Sequence, residues 1–166
     1  MKNNLEIIPE IKTISGKKLM GLPLSMSLAD NRALDLWRKL MPRRNEIKNR
    51  TTTDYISMSV YPNDYFTQFD LARTFEKWAA VEVTDFNIVP DGMEPFELAA
   101  GLYAVFHYKG PGNDPAIFSR IFGTWLPDSG YVIDDRPHFE ILGENYNAAD
   151  PNAEEEIWIP VKPLLM

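Results

Sequence analysis

Residues 55–61 (YISMSVY) alternate strictly, with Ile56, Met58 and Val60 on one side and Tyr55, Ser57, Ser59 and Tyr61 on the other. Period two is the signature of a strand with two unlike faces. Strand composition bounded by turn residues extends the prediction to 76–84 (EKWAAVEVT), 101–109 (GLYAVFHYK), about 136–143 (RPHFEILG) and 154–162 (EEEIWIPVK). Residues 12–26 read as one more strand, bent or bulged where Gly16, Gly21 and Pro23 interrupt it. Two stretches carry helical spacing instead. Ser27-Leu-Ala-Asp30 reads as a capping box ahead of Ala33, Leu34, Trp37, Leu40 and Met41, with Pro42 as the limit. Asp114, with Pro115 in the first helical position, opens a second helix that carries Ile117, Phe118, Ile121, Phe122 and Trp125 and stops at Pro127 and Gly130.

The order strand–helix–strand–strand therefore occurs twice, as pseudo-repeats at about 11–86 and 100–163 within one domain covering 1–166. A helix with one apolar stripe and a strand with one apolar face pack as two layers. The expected fold class is α+β: an antiparallel sheet with both helices on one face, the other face being left to water or to a ligand. In 154–162, Ile157, Ile159 and Val161 form the apolar side, so Glu154, Glu156 and Trp158 point away from the helices. In 76–84, Val81 and Val83 do the same and turn Trp78, Ala80 and Glu82 away. Taking Ile56, Met58 and Val60 as the helix side adds Tyr55, Ser57, Ser59 and Tyr61 to the free face. Rings and carboxylates together attract cations and flat molecules. A carboxylate held among rings has its pKa raised, which suits either a cationic ligand or a general acid.

Composition narrows the function classes. The chain has 166 residues, 45% hydrophobic and 12% aromatic, enough for one buried core. Charges interrupt the apolar residues of its start, MKNNLEIIPEIK, and no run is long enough to span a bilayer, so neither a signal peptide nor a membrane span is expected. Absence of cysteine excludes disulfides and thiolate metal sites and suits a cytoplasmic location. Residues 1–54 carry a net +5 and residues 55–166 a net −12, which makes the second stretch a poor nucleic-acid surface. The basic run Arg38, Lys39, Arg43, Arg44, Lys48, Arg50 is read as a solvated helix face, with docking on an acidic protein partner as the alternative. His107 and His138 lack metal-ligand spacing, and there is no phosphate loop, dinucleotide fingerprint or nucleophile elbow, so no metal or cofactor is expected.

The segments Gly101–Gly110, Phe75–Val83, Arg136-Pro-His-Phe-Glu-Ile-Leu-Gly-Glu-Asn-Tyr146 and Glu154-Glu-Glu-Ile-Trp-Ile-Pro-Val-Lys162 resemble the GyrI-like, AraC-type effector-binding family. The resemblance runs from about Ile11 to Pro163 and implies a duplicated, SHS2-like strand–helix–strand–strand fold. It implies binding of small organic molecules, often aromatic or cationic, in a groove between the halves, where a last-strand glutamate matters; that position falls on Glu156, beside Trp158. Many members are fused to a helix-turn-helix; no such segment is read here, so direct DNA binding is not expected. The first expectation is a stand-alone domain that senses or sequesters such compounds, using Glu156, Glu82, Trp158, Trp78, Tyr61, Tyr103 and Tyr55. The alternative is a hydrolase of strained, electrophilic toxic molecules, as some relatives are described, with Glu156 or Glu82 as acid or base and Tyr61 or Tyr103 positioning water. Third comes a protein-partner inhibitor, docking through the basic helix at 32–50; a homodimer is also allowed for.

Overall fold

A computed structural model describes residues 8–112 and 114–165. In chain order its elements are β1 (Glu10–Ile14), β2 (Lys17–Ser27), α1 (Ala33–Leu40) running into a 3-10 turn (Met41–Glu46), β3 (Tyr55–Val60), β4 (Thr74–Val83), β5 (Glu94–Leu98) and β6 (Gly101–Lys109). Then come α2 (Ala116–Arg120), a π-helical turn (Ile121–Trp125), α3 (Leu126–Asp128), β7 (Tyr131–Ile133), β8 (His138–Leu142) and β9 (Glu154–Pro163). The strands form one antiparallel sheet in the order β1-β6-β9-β8-β3-β4-β2-β5, with β7 pairing β9 off this path. The expected α+β fold is present, and β3 against β8 is the seam between the halves.

Local chemistry explains where several elements begin and end. Ser27 ends β2, and its hydroxyl accepts the Asp30 N–H at 3.0 Å, so the expected capping box is a turn. The helix starts later, at Ala33, whose N–H is held by the Asn31 side chain at 2.9 Å. Asp114 performs the equivalent service for Ala116 at 2.9 Å, as expected of a helix opener. Pro127 has no N–H to give to the Gly123 carbonyl; the run passes through a π turn and ends at Asp128, with Gly130 at φ +80°, as the expected stop at Pro127 and Gly130 requires. The bent strand expected at 12–26 is two strands: β1 leaves its own half and pairs β6, while β5, unforeseen in the sequence, pairs β2.

Three apolar clusters result. Leu36 and Leu40 of α1 lie on Met20, Ala79 and Val81. Ile117 and Ile121 lie on Phe106, Ile157 and Ile159. The third cluster fills the helix-free face with Leu19, Ile56, Met58, Trp78, Tyr103, Val105, Phe139 and Trp158. The sheet is thus apolar on both sides, and the face expected to stand open is covered by its own rings. This reverses the orientation of β3. Ile56 and Met58 belong to the helix-free face, where Met58 stands opposite both Trp78 and Phe139. Tyr55 and Tyr61 belong to the helix side: Tyr55 meets Trp37 of α1 at 5.9 Å, and Tyr61 packs on Tyr65, Phe75 and His138. Ser57 and Ser59 share that side because register with Glu140 and His138 places them there.

Gly21 of β2 lies against its partner strand, where an added Cβ would overlap the Ala79 carbonyl and the Ala80 Cα. The obstacle is backbone of the partner strand, which cannot swing aside. Gly21→Ala is expected to destabilise the fold by about 2 kcal/mol or more. Urea unfolding at constant m-value checks this, and an unchanged midpoint would contradict it.

Candidate functional site

The last strand of each half carries the sequence Glu-x-Trp: Glu76-Lys-Trp78 in β4 and Glu156-Ile-Trp158 in β9. Residues two apart on a strand share a face, so each carboxylate lies beside its own indole. Trp78 donates its Nε1–H to Glu76 Oε1 at 2.6 Å, and Trp158 donates to Glu156 Oε1 at 3.4 Å. Each bond leaves the ring surface free for packing. Between the two units runs a row in register: Trp158 opposite Phe139, Phe139 opposite Met58, Met58 opposite Trp78. Phe139 and Trp158 are stacked at 5.1 Å and 17°, and Tyr103 meets both rings edge-on. Trp78 is 3% exposed, Trp158 6% and Tyr103 0%, so in this state the rings occupy one another.

Of the residues expected at the site, Trp78, Trp158, Tyr103, Glu82 and Glu156 lie on the helix-free face, whereas Tyr55 and Tyr61 lie on the helix side. Within the Glu-x-Trp repeat Glu76, not Glu82, answers Glu156, and the bond from the Trp78 N–H distinguishes it. Glu82 does lie on the helix-free face, but it pairs with Lys17 at 3.4 Å. β4 and β9 are also not neighbours, since β3 and β8 lie between them. Three strand spacings, roughly 14 Å, therefore separate the strands bearing Glu82 and Glu156. Tyr103 is on the expected face, with its hydroxyl donating to the Pro137 carbonyl at 3.1 Å and Arg136 over its ring at 4.7 Å. Burial pushes its pKa up to about 12. Tyr61 is pushed to about 12 as well, again by burial, but on the far side of the sheet. The hydrolytic set of Glu82, Glu156 and Tyr61 is not brought together.

At the end of the sheet beside Glu156 lies a depression of about 480 Å³, lined by Ile141, His107, Lys109, Glu154 and Glu156 from the free face and also by Asp54, Tyr108, Gly143 and Glu155. His107 lies between two carboxylates, with Nε2 3.4 Å from Glu10 and Nδ1 3.7 Å from Glu156. Acidic groups thus predominate in the lining of this depression.

One residue earlier in β9 the environment is opposite. Glu155 points to the helix side, is 7% exposed, and has an Oε2 without a hydrogen-bond partner. Burial, reinforced by the Glu140 charge, raises its pKa to about 8. His138 on the same side is stacked on Phe66 at 5.2 Å and met edge-on by Tyr61 at 4.9 Å. Burial, aided by the charges of Lys77 and Arg136, depresses it to about 3, so it stays neutral. Of the basic run, Arg43 pairs with Glu46, Arg44 donates to the Met41 carbonyl and Arg50 covers Tyr55, which accounts for three of its six charges within the fold. No helix among the described residues is long and apolar enough to cross a membrane.

By sequence, residues 8–162 match the family described as the GyrI-like small molecule binding domain. The transcriptional regulator BrlR of Pseudomonas aeruginosa is 29% identical over 130 residues, which are 76% of this chain and 45% of that protein. The chain therefore spans less than half of that relative's length. In three dimensions, SAV2435 bound to tetraphenylphosphonium is similar at a TM-score of 0.72, 13% identity and 93% of both chains. A hydrolase encoded by lin2189 of Listeria innocua is similar at 0.62 and 11% identity, over 96% of this chain and 94% of that one. At these identities the structural likeness is one of fold.

The two buried groups on the helix side impose opposite pH dependences. Glu155 holds its proton in the fold up to about pH 8 but releases it near 4.5 when unfolded, so stability falls as pH rises through that window. His138 charges near 6.5 when unfolded but only near 3 in the fold, so stability falls as pH drops through that window. Between 4.5 and 6.5 the two oppose each other, and above 6.5 Glu155 acts alone. Glu155→Gln is expected to gain in stability on the wild type steadily as pH rises from 5 to 9, because burial and the Glu140 charge raise the pKa of Glu155 in the fold. Urea midpoints across that range measure the gain; a pH-independent difference would mean that Glu155 ionises normally.

Proposed function

This chain belongs to the GyrI-like small molecule binding domain family, and on that premise we propose that it binds bulky aromatic cations on the helix-free face. The observation that carries this reading is the repeated Glu-x-Trp unit, with each indole N–H turned to its carboxylate and the rings joined in one row. A ring of this kind contributes ~0.5–2 kcal/mol to a cation lying over it, more as water is excluded. Glu156, 31% exposed at the depression, supplies the counter-charge at the point of entry. Because the tryptophans are almost fully covered, binding requires the row to part, and Met58, unbranched and flexible at its centre, suits such repacking. Trp158, Trp78, Glu156, Glu76 and Tyr103 make the site in this reading. Tyr55 and Tyr61 serve the helix-side core, and Glu82 holds Lys17. Sequestration or sensing needs no further group, whereas hydrolysis would need an acid and a base together beside the ligand, and His107 beside Glu156 is the pair available for it.

Calorimetric titration with tetraphenylphosphonium as probe tests the proposal. Saturable binding is expected, with Glu156→Gln weakening it about 5–10-fold while affecting an uncharged aromatic of similar size less than 2-fold. Equal loss for both probes would remove the electrostatic role of Glu156. For the hydrolytic alternative the decisive measurement is turnover: product exceeding protein from a strained electrophilic substrate, abolished by Glu156→Gln, would replace binding with catalysis.

A further inference from the structure

Each edge of the sheet is formed by the short strand that precedes one half's first long strand and pairs that of the other, β1 ahead of β2 pairing β6 and β5 ahead of β6 pairing β2. Each places one side chain on a tryptophan. β5 pairs β2, and its Phe96 lies 5.2 Å from Trp78. β1 pairs β6, and its Lys12 holds Nζ 5.8 Å from the Trp158 ring. The two side chains occupy the same place in their strands, two residues before the last, and the registers agree: Ile14 stands opposite Gly101 and Leu98 opposite Lys17. One tryptophan is thus covered by a hydrocarbon ring and the other by an ammonium.

The two covers differ in how readily they leave. Phe96 has no polar end, and moving it off Trp78 exposes two apolar surfaces to water. Lys12 has a flexible stem, is 41% exposed, and has a second partner within reach, since Glu10 Oε2 lies 3.6 Å from Nζ. An ammonium over an indole is also the arrangement that an onium ligand would adopt. We infer that Lys12 is a tethered occupant of the Trp158 face, displaced by the ligand, so that the second half holds the cation and Lys12 sets the affinity threshold. The inference rests on the binding reading above and adds to it a location and a gate. A ligand cation meets two costs at this position, replacement of Lys12 on the ring and repulsion from the ammonium that stays nearby. A neutral aromatic meets only the first. A compact primary amine is hydrated as strongly as Lys12 itself and gains little by the exchange, whereas a bulky, weakly hydrated onium centre prefers the ring.

The test is calorimetry on the full chain with tetraphenylphosphonium, comparing wild type, Lys12→Met and Lys12→Arg. Methionine keeps the stem and removes the charge; arginine keeps the charge. Lys12→Met should bind 3–10-fold more tightly, with an uncharged aromatic probe improving less than 2-fold, and Lys12→Arg should stay within 2-fold of wild type. Trp158→Phe should lose more affinity than Trp78→Phe. Tighter binding by Lys12→Met supports the inference even where wild-type binding is too weak to measure. Unchanged or weaker binding by Lys12→Met, beside measurable wild-type binding, overturns the gate and leaves the binding site standing. Absence of binding in every variant overturns both.

Discussion

The ladder between β3 and β8 joins two blocks that would otherwise each end in an unpaired edge. Its register sets Met58 against Phe139 and so makes the ring row continuous from Trp158 to Trp78. Because side chains alternate along a strand, the same register fixes what the helix side receives: Ser57 and Ser59 opposite Glu140 and His138. A shift of one residue would exchange the two sets. The apolar row would then meet the helices, and the polar groups of the seam would meet the tryptophans. Neither layer could pack, so the junction of the halves and the composition of the site are one constraint.

That constraint produces a sheet with no solvent-facing side at its centre. Helices cover one face, and the rings of the sheet cover the other, helped by the edge strands that the halves exchange. A binding face built in this way is occupied before any ligand arrives. Its specificity depends on which of its own groups give way, and here the halves differ. Trp78 is closed by Phe96, whereas Trp158 lies under Lys12 and beside the acidic depression.

Two adjacent glutamates show how far one step along a strand changes chemistry. Glu156 reaches the depression, bonds an indole N–H and remains near water. Glu155 is turned into the helix side with one oxygen unpartnered and keeps its proton to about pH 8. A carboxylate raised in this way has the property sought in a general acid, yet it faces away from the tryptophans. Its protonation bears on stability, and the residue also lines the depression beside Glu156.

The halves, the two helices and the outward placement of Trp78, Trp158 and Glu156 were legible in the sequence, because Val81, Val83, Ile157, Ile159 and Val161 leave only one side for the helices. The repeat Glu-x-Trp lies in the sequence as well, but alternation turns Glu76 and Glu82 outward alike, and only the bond from the Trp78 N–H distinguishes Glu76. The orientation of β3 was not legible. Its two faces are Ile-Met-Val and Tyr-Ser-Ser-Tyr, and either can be buried; only contact with Trp37 and Phe75 on one side, and with Trp78 and Phe139 on the other, decides between them. Nor did the sequence show that β1 and β5 cross to the opposite half, since pairing between distant segments leaves no periodic trace along the chain. The local pattern determined which residues could be buried. Long-range register decided against what they are buried, because each strand offers two faces and the partner alone selects between them.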